Sequence, residues 1–304
     1  MDARAARSCD AARCPRYSGL MKLSIVGCNE LGTTIAQKLA DTDWPGEILL
    51  VDPEPGTAEG KALDLMQANP VLKAETRIRG SQRVAEVVDS SYVLIANMDG
   101  SFDQAGKLFR SLGDRAGNAV VLLAINDPAR LMAAARAAGF APERIVATFP
   151  EALASTWRHH FAQALRCSHQ DVSASLLGAP PREGLYLVFA SLAGQSLDRF
   201  LSPPQLRRVA AEVTTRSLPG PRNLATAAVN VLRDLLRKRG AVRSCYVWSR
   251  GKYGARALFL CAPAILGPQG LQEVIEFSLD PAQRVTLDRS LDCLERIQQL
   301  SPDL

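Results

Sequence analysis

The sequence predicts an α/β protein built on a doubly wound parallel sheet, followed by a mixed α+β half. Short apolar runs alternate with helical patterns over residues 22–165, and beyond them the runs lengthen and lose this alternation. Strands that alternate with helices are typical of βαβ units with parallel strands. The chain has 304 residues and 47% apolar content, enough for two substantial cores. We therefore expect a first domain over residues 21–149 and a C-terminal α+β domain over residues 150–304, preceded by a disordered extension at residues 1–20.

Apolar periodicity predicts the individual elements. In the first half, strands are expected at Leu23–Val26, Ile48–Val51, Tyr92–Ala96, Val120–Ile125 and Ile145–Thr148, and helices from Leu31 and at Phe102–Leu112, Pro128–Ala138 and Ala152–Leu165. In the second half, strands are expected at Val172–Leu177, Leu185–Phe189, Ser244–Trp248, Ala257–Cys261 and Glu273–Phe277, and helices at Pro204–Thr215, Asn223–Arg239 and from Pro281. The Pro and Gly cluster at 219–221 is interpreted as a loop within the second half.

The segment 22–65 has the order of a Rossmann-type dinucleotide-binding unit. A strand breaks at Gly27, a helix follows from Leu31, and the next apolar run ends in Asp52. A carboxylate about twenty residues after a glycine turn can accept hydrogen bonds from both hydroxyls of an adenosine ribose. The same carboxylate repels a 2′-phosphate, and no arginine directly follows it. The cofactor predicted is therefore NAD(H) and not NADP(H).

The glycine turn departs from the G-x-G-x-x-G pattern at its middle position. Gly27 and Gly32 are present, but Asn29 replaces the glycine that lets the backbone approach a pyrophosphate. Asparagine tolerates a positive φ, so we expect the turn to form with a tighter or displaced phosphate seat. A thiol at a helix N-terminus can have a lowered pKa, which singles out Cys28 among the cysteines. An alternative is a domain that kept this fold and lost the ligand.

Two segments carry a family resemblance. The stretch GTAEGKALDL, residues 56–65, and the stretch GKYGARALFLCAPAILGPQGLQEVIEFSLD, residues 251–280, are similar to the malate and lactate dehydrogenase family. The similarity is thin but collinear from Met21 to about Leu300. It implies the fold of that family, NAD(H) as cofactor and a homo-oligomer, a dimer or tetramer, or pairing with an active paralogue. The positions implied to line the cofactor site are Gly27, Asn29, Glu30, Leu31, Gly32, Asp52, Ala96 and Asn126.

The catalytic residues of the resembling family are not matched. The family's base is a histidine on a G-G-H-G-D turn, and Pro180 stands at that position. The carboxylate that orients the histidine aligns with Leu153, and the substrate-binding arginine aligns with Thr156. A shifted alignment offers Glu151 as the acid and Arg158 as the carboxylate clamp, seven residues apart on one helix face.

The family's mobile lid is also unmatched. Residues 97–113, NMDGSFDQAGKLFRSLG, are roughly a dozen residues shorter than the family's lid segment and lack its arginine-containing core. Asn126 does match the family's asparagine at the end of the next strand, which contacts the nicotinamide side and the substrate hydroxyl. An asparagine that simply ends a strand is an equally good interpretation.

Composition excludes several other classes. The net charge of +5 comes without interleaved aromatic and basic residues, so no nucleic-acid partner is expected. No apolar stretch reaches membrane-spanning length, and no secretory signal precedes Met21, so we expect a cytoplasmic protein without a membrane partner. The cysteines lie at positions 9, 14, 28, 167, 245, 261 and 293, without metal-ligand spacing, and no metal is predicted. The three histidines, His159, His160 and His169, are interpreted as helix or surface residues.

Three hypotheses remain open from the sequence. The first is a degenerate family member that binds NAD(H), has no catalysis and acts through association or cofactor sensing. The second is an active NAD-dependent oxidoreductase on a 2-hydroxy or 2-oxo acid, with a remodelled site that uses Glu151, Arg158 or a displaced histidine. The third is a scaffold without a ligand.

Overall fold

The computed structural model describes residues 21–42, 45–96, 102–182, 184–216, 218–236 and 240–299. The strands are β1 Lys22–Val26, β2 Glu47–Val51, β3 Arg77–Ser81, β4 Tyr92–Ile95, β5 Val120–Leu123, β6 Ile145–Ala147, β7 Val172–Gly178, β8 Tyr186–Leu192, β9 Gln195–Ser196, β10 Ala241–Trp248, β11 Phe259–Gly267 and β12 Gly270–Val274. The helices are α1 Glu30–Ala40, α2 Thr57–Leu72, α3 Phe102–Ala116, α4 Ala129–Ala137, α5 Phe149–Leu165, α6 Pro203–Arg216, α7 Pro221–Leu235 and α8 Pro281–Gln299.

The first half is a parallel sheet with strand order β3-β2-β1-β4-β5-β6. Strand β1 lies between β2 and β4, with Leu23 opposite Ile48 on one side and Val26 opposite Ile95 on the other. The strand order therefore reverses direction between β1 and β4. In open α/β sheets, ligands bind outside the carboxyl ends of the strands at such a switch point. The predicted doubly wound fold class is confirmed.

The sheet continues into the second half through antiparallel strands. Tyr246 of β10 pairs with Ala147 of β6, and the order then runs β10-β11-β7-β8-β9, with β12 on β11. The mixed parallel and antiparallel character agrees with the expected α+β second half. The predicted domain boundary after residue 149 falls at the first residue of α5.

The central strands are apolar along their whole length because helices cover both faces of a parallel sheet. Every residue of β4, β5 and β6 is buried. Helix α1 buries Ile35 and Leu39 and packs against α7, so a helix of the second half contacts the first βαβ unit. Among the described residues, no helix is long and apolar enough to cross a membrane.

Every strand and helix predicted from periodicity is present, with most ends shifted by a few residues. Strand β11 runs six residues beyond the predicted end at Cys261, and residues 237–239 of the helix predicted at Asn223–Arg239 lie outside the described residues. Two substantial elements were not predicted, α2 and β3. Helix α2 lacks a single apolar face and contains Gly60 and Pro70, while Leu63 and Val71 are 60% and 84% exposed. The polar strand β3 has only short apolar signal because it lies at the edge of the sheet.

Candidate functional site

The glycine turn between β1 and α1 lies at the switch point and needs both of its outer glycines. Gly27 has φ +99°, a conformation that side-chain-bearing residues rarely adopt. A Cβ on Gly32 would lie 1.9 Å from the carbonyl oxygen of Gly27. The turn and the helix are therefore in backbone contact, which corresponds to the third glycine's function in this motif.

Asn29 has a different conformation from the one that the sequence suggested. Its φ is −68° and its ψ is −175°, so the turn does not use its tolerance of positive φ. Asn29 instead caps α1, because its side-chain Oδ1 accepts a hydrogen bond from the Gly32 N–H at 3.0 Å. Its Nδ2 donates to the carbonyl oxygen of Ala96 at 3.4 Å. The residue thus spans the gap between the start of α1 and the end of β4.

Asp52 ends β2 beside this turn. Its Oδ2 accepts a hydrogen bond from the Cys28 N–H at 2.7 Å, and its Oδ1 accepts one from the Glu54 N–H at 3.1 Å. Each carboxylate oxygen has two lone pairs, so both can accept a further hydrogen bond from a ribose hydroxyl. Asp52 is half-buried and remains reachable from solvent. The adenosine end of a dinucleotide therefore fits the residues present.

The lowered pKa that a helix N-terminus can give a thiol is not found at Cys28. Burial, together with the nearby carboxylate of Asp52, raises the pKa of Cys28 to about 12. The helix N-terminus cannot offset the cost of a thiolate in this desolvated position. Cys28 is 4% exposed and packs in the core as a small apolar side chain.

The other predicted cofactor positions lie at the start of α1 or just after β4 and β5, on the carboxyl edge of the sheet. Leu31 is 6% exposed and belongs to the core, whereas Glu30 is exposed in the first turn of α1. The Ala96 N–H donates to the Val26 carbonyl oxygen at 2.9 Å, which fixes the end of β4 beside the turn. Asn126 is exposed after β5, on the same carboxyl edge of the sheet.

The turn 178–182 replaces the family's histidine turn and is held to the carboxyl edge by two contacts. Pro180 is buried, and its carbonyl oxygen accepts a hydrogen bond from the Tyr246 hydroxyl at 2.7 Å. The Arg182 guanidinium forms a bidentate pair with Asp127, at 3.1 and 2.7 Å. Burial raises the pKa of Tyr246 well above its ordinary value, so its hydroxyl remains a protonated donor. These contacts tie the turn to the residue that follows Asn126.

The two unmatched positions on α5 have no charged side chain to offer. Leu153 is 1% exposed and packs in the core. The Thr156 hydroxyl donates to the Ala152 carbonyl oxygen at 3.2 Å and accepts from Asn223 Nδ2 at 3.2 Å. Neither side chain can orient an imidazole or bind a substrate carboxylate through an ion pair.

The alternative pair on α5 belongs to a charge cluster of the second half. Arg158 Nη2 lies 3.4 Å from Glu151 Oε1, as expected for one helix face. Arg243 of β10 lies 3.2 Å from the same oxygen and donates to Asp234 Oδ2 at 2.6 Å. Glu151 Oε2 also accepts from the Ser244 N–H at 3.3 Å. We call Glu151, Arg158, Asp234 and Arg243 the α5–β10 charge cluster.

Electrostatics within this cluster are dominated by burial. Glu151 is 8% exposed, and its desolvation raises the pKa of its carboxyl, although the guanidinium groups of Arg243 and Arg158 act in the opposite direction. Glu151 in turn contributes to a raised pKa of Arg243. The cluster links α5, α7 and β10.

The histidines lie away from the carboxyl edge. His159 and His160 are on α5, about 13 Å along the helix axis from Glu151 at 1.5 Å per residue. His169 is exposed in the turn before β7, as expected. The lid segment falls partly outside the described residues, because only α3, from Phe102 onward, is described there.

Sequence reasoning missed Arg182, Asp127, Tyr246 and Arg243. Apart from the Arg243–Asp234 pair, which is nine residues apart, their partners are 55 to 92 residues away in the chain, and no local spacing indicates them. A weak signal existed for Arg182 alone, since it stands in the turn where the resembling family has its catalytic residues.

The arrangement defines a class of protein: a doubly wound α/β fold with a dinucleotide-type crevice and an α+β half that closes its carboxyl edge. No family model matches the chain. Curated malate dehydrogenases do match it over nearly their full length. The enzyme from Methanosarcina mazei is 27% identical over 304 residues, covering 91% of this chain and 98% of its own. The one from Bacillus cytotoxicus is 26% identical, covering 92% and 97%.

Solved structures show the same fold. Plasmodium falciparum malate dehydrogenase in complex with NADH superposes with a TM-score of 0.86 at 19% identity, covering 93% of this chain and 99% of its own. Cryptosporidium parvum lactate dehydrogenase, complexed with lactic acid and β-nicotinamide adenine dinucleotide, gives 0.85 at 19% identity, covering 94% and 99%. The chain is thus similar to malate dehydrogenases in sequence over about nine-tenths of its length, and it shares the fold of solved malate and lactate dehydrogenases.

Proposed function

We propose that this chain is an NAD(H)-binding malate/lactate dehydrogenase-like protein without dehydrogenase activity, which acts through cofactor sensing or association. The observation that carries the proposal is Pro180, a buried residue without a titratable side chain where the family has its base. Next to this turn Arg182 is paired with Asp127, and Leu153, at the position of the orienting carboxylate, packs in the core.

Cofactor binding is supported by the residues at the switch point. Asp52 has oxygen lone pairs available for a ribose, and the close packing of Gly27 and Gly32 gives the turn its required form. Structural neighbours of the same fold are described as complexes with NADH and with β-nicotinamide adenine dinucleotide. A bound nicotinamide would supply hydride chemistry, while in this chain Asp52 would hold the adenosine ribose beside the glycine turn.

The absence of catalysis follows from magnitudes. A general base contributes about 10²–10⁴-fold to rate, and positioning of the reacting groups contributes roughly 7–11 kcal/mol. Pro180 removes the base, Leu153 removes its orienting carboxylate, and Thr156 removes the substrate-binding cation. We expect no turnover above the uncatalysed background.

The test is a stopped assay of purified protein with NAD⁺ and L-malate, lactate and a panel of other 2-hydroxy acids, read by NADH absorbance. Differential scanning fluorimetry with NADH runs in parallel. Stabilisation by NADH without turnover supports the proposal, since ligand at a hundred times its Kd stabilises by about 2.7 kcal/mol. Turnover of any panel member overturns the proposal that the protein has no dehydrogenase activity. No thermal shift with NAD⁺ or NADH favours the ligand-free scaffold.

The second candidate is an active oxidoreductase with a remodelled site. Similarity to malate dehydrogenases over nearly their full length favours an enzyme. Glu151, whose pKa is raised by burial, would act as the acid, and Arg158, about a third exposed, would bind the substrate carboxylate. Their membership of the α5–β10 charge cluster argues against this role, because both are engaged with each other and with Arg243. If turnover is observed, loss of activity in Glu151→Gln and Arg158→Met assigns it to this pair.

Association with a second copy is supported by the exposed apolar side chains of α2. Leu63, Val71 and Leu72 are 60%, 84% and 43% exposed, an unusual concentration of large apolar side chains on one surface helix. We expect light scattering to report a homo-oligomer and Leu63→Asp to shift it toward the monomer. An unchanged oligomer in this variant removes α2 from the interface.

A further inference from the structure

The side chain of Asn29 connects the two sides of the switch point. Its Oδ1 accepts from the Gly32 N–H on the α1 side, and its Nδ2 donates to the Ala96 carbonyl oxygen on the β4 side. The Asn29 carbonyl oxygen also accepts from the Thr33 hydroxyl at 2.8 Å, which fixes the first turn of the helix. One residue therefore ties together the backbone groups that border the crevice.

One of these backbone groups, the Gly32 N–H, is a donor of the kind that binds a pyrophosphate, whereas the Ala96 and Asn29 carbonyl oxygens only accept. In a Rossmann-type unit the phosphates lie against the N-terminus of the first helix, where unpaired backbone N–H groups bind negative charge. Asn29 uses one of these N–H groups for itself. Its Cβ and amide also occupy the position where the pattern has a glycine. A glycine there has no side chain, which lets the backbone approach the pyrophosphate.

Glu30 adds an independent obstacle. Its carboxylate is exposed in the first turn of α1, where a negative side chain is stabilised by the helix dipole. The dipole charge that would attract a pyrophosphate thus already interacts with a carboxylate of the chain. A like charge beside a phosphate disfavours binding.

We propose that Asn29 and Glu30 together act as affinity-setting residues of the crevice: the Asn29 amide closes the pyrophosphate seat and the Glu30 carboxylate opposes its charge. The inference rests on the proposed function, because it concerns the same NAD(H) crevice. A dinucleotide must displace the Asn29 side chain from Gly32 and Ala96 before its phosphates reach the helix N-terminus. Wild-type affinity is consequently held below what the turn and Asp52 would otherwise give.

The experiment is calorimetric titration of the full-length protein and its variants with NADH and with adenosine, which lacks phosphates. Asn29→Gly removes the amide, and glycine at a helix N-cap costs folding stability only a few tenths of a kcal/mol. Glu30→Gln removes the charge alone. The matched control is Asp280→Gly, because Asp280 Oδ1 accepts from the Gln283 N–H at 2.8 Å at the start of α8.

We expect Asn29→Gly to bind NADH about fivefold or more tightly, the value of one released hydrogen-bond donor. Glu30→Gln should tighten NADH binding by a smaller factor, about twofold to fivefold. Adenosine affinity should not change in either variant, and Asp280→Gly should bind as wild type does. Binding by Asn29→Gly where wild type shows none supports the inference and refutes wild-type NAD(H) binding.

Three results overturn the inference. Equal NADH affinity in wild type and Asn29→Gly means that the amide moves aside without cost, and the proposed function still stands. Weaker binding in Asn29→Gly means that the Asn29 amide itself holds the phosphate. No binding by any variant removes both the inference and the NAD(H) part of the proposed function.

Discussion

Replacement of Arg243 by methionine tests whether the α5–β10 charge cluster stabilises the second half. Its side chain is 26% exposed, and its guanidinium contacts Glu151 at 3.2 Å and Asp234 at 2.6 Å. The side chains of these two acids are 10% and 1% exposed. Removing one partner of a buried ion pair costs about 3–5 kcal/mol, because the remaining charge is uncompensated. Arg158 still neighbours Glu151, so we expect the lower end, a loss of about 3 kcal/mol.

Urea unfolding followed by tryptophan fluorescence measures this loss in the free energy of unfolding. The matched control is Arg158→Met, because the Arg158 side chain is 34% exposed and its guanidinium lies 3.4 Å from Glu151. We expect the control to lose at most about 1 kcal/mol. A loss below about 1 kcal/mol in Arg243→Met as well would refute the reasoning. If Arg243→Met does not fold, the double variant with Glu151→Gln should, since it removes the buried charge that arginine compensated.

The pH dependence of Arg243→Met gives a second readout. Burial raises the folded-state pKa of Glu151, and Arg243 opposes that rise, so its removal raises the pKa further. A raised carboxyl pKa contributes stability below the unfolded value of about 4.3, and this contribution is lost as pH rises through the folded pKa. The deficit of Arg243→Met relative to wild type should therefore grow between pH 5 and pH 8. A deficit independent of pH would assign the effect to packing instead of charge.

Two further predictions concern the first βαβ unit. Gly32→Ala places a Cβ 1.9 Å from the Gly27 carbonyl oxygen and should destabilise the fold by more than about 2 kcal/mol in a urea titration. Its control is Gly60→Ala in α2, which has open space around the new Cβ and should stabilise the fold by about 0.5–1 kcal/mol. Similar effects of the two substitutions would contradict the close contact at Gly32. Asp52→Asn should narrow the preference for NADH over NADPH in calorimetric titrations by removing the charge that repels a 2′-phosphate, and an unchanged ratio would mean that Asp52 does not face the ribose.

Much of the first half was predictable because its signals are local. The buried strands around Val26, Leu50 and Leu94 are continuous apolar runs, and helices cover both faces of the sheet that they form. The turn from Gly27 to Gly32 requires glycine for steric reasons that hold in any protein. In contrast, α2 was missed because its sequence has no single apolar face.

The chemistry of the predicted site residues follows from the sequence alone, whereas their contacts do not. Pro180 cannot transfer a side-chain proton in any conformation, so the missing base is a property of the residue type. The partners of Arg182 and Glu151 depend on strand pairings between distant segments, which no spacing reveals. The capping conformation of Asn29 also required the structure, since the same residue could have adopted a positive φ in the turn.

The fold class, the position of the dinucleotide-type turn and the chemical types absent from the catalytic positions all follow from the amino-acid sequence, because apolar periodicity, glycine sterics and side-chain chemistry are local. The contacts of the remaining polar groups follow only from the folded arrangement of distant segments. In the folded chain the Asn29 side chain contacts both the start of α1 and Ala96, Arg182 pairs with Asp127, and Glu151 is buried beside Arg243. These outcomes depend on which distant strands and helices meet, and on burial, which sets the cost of every charge.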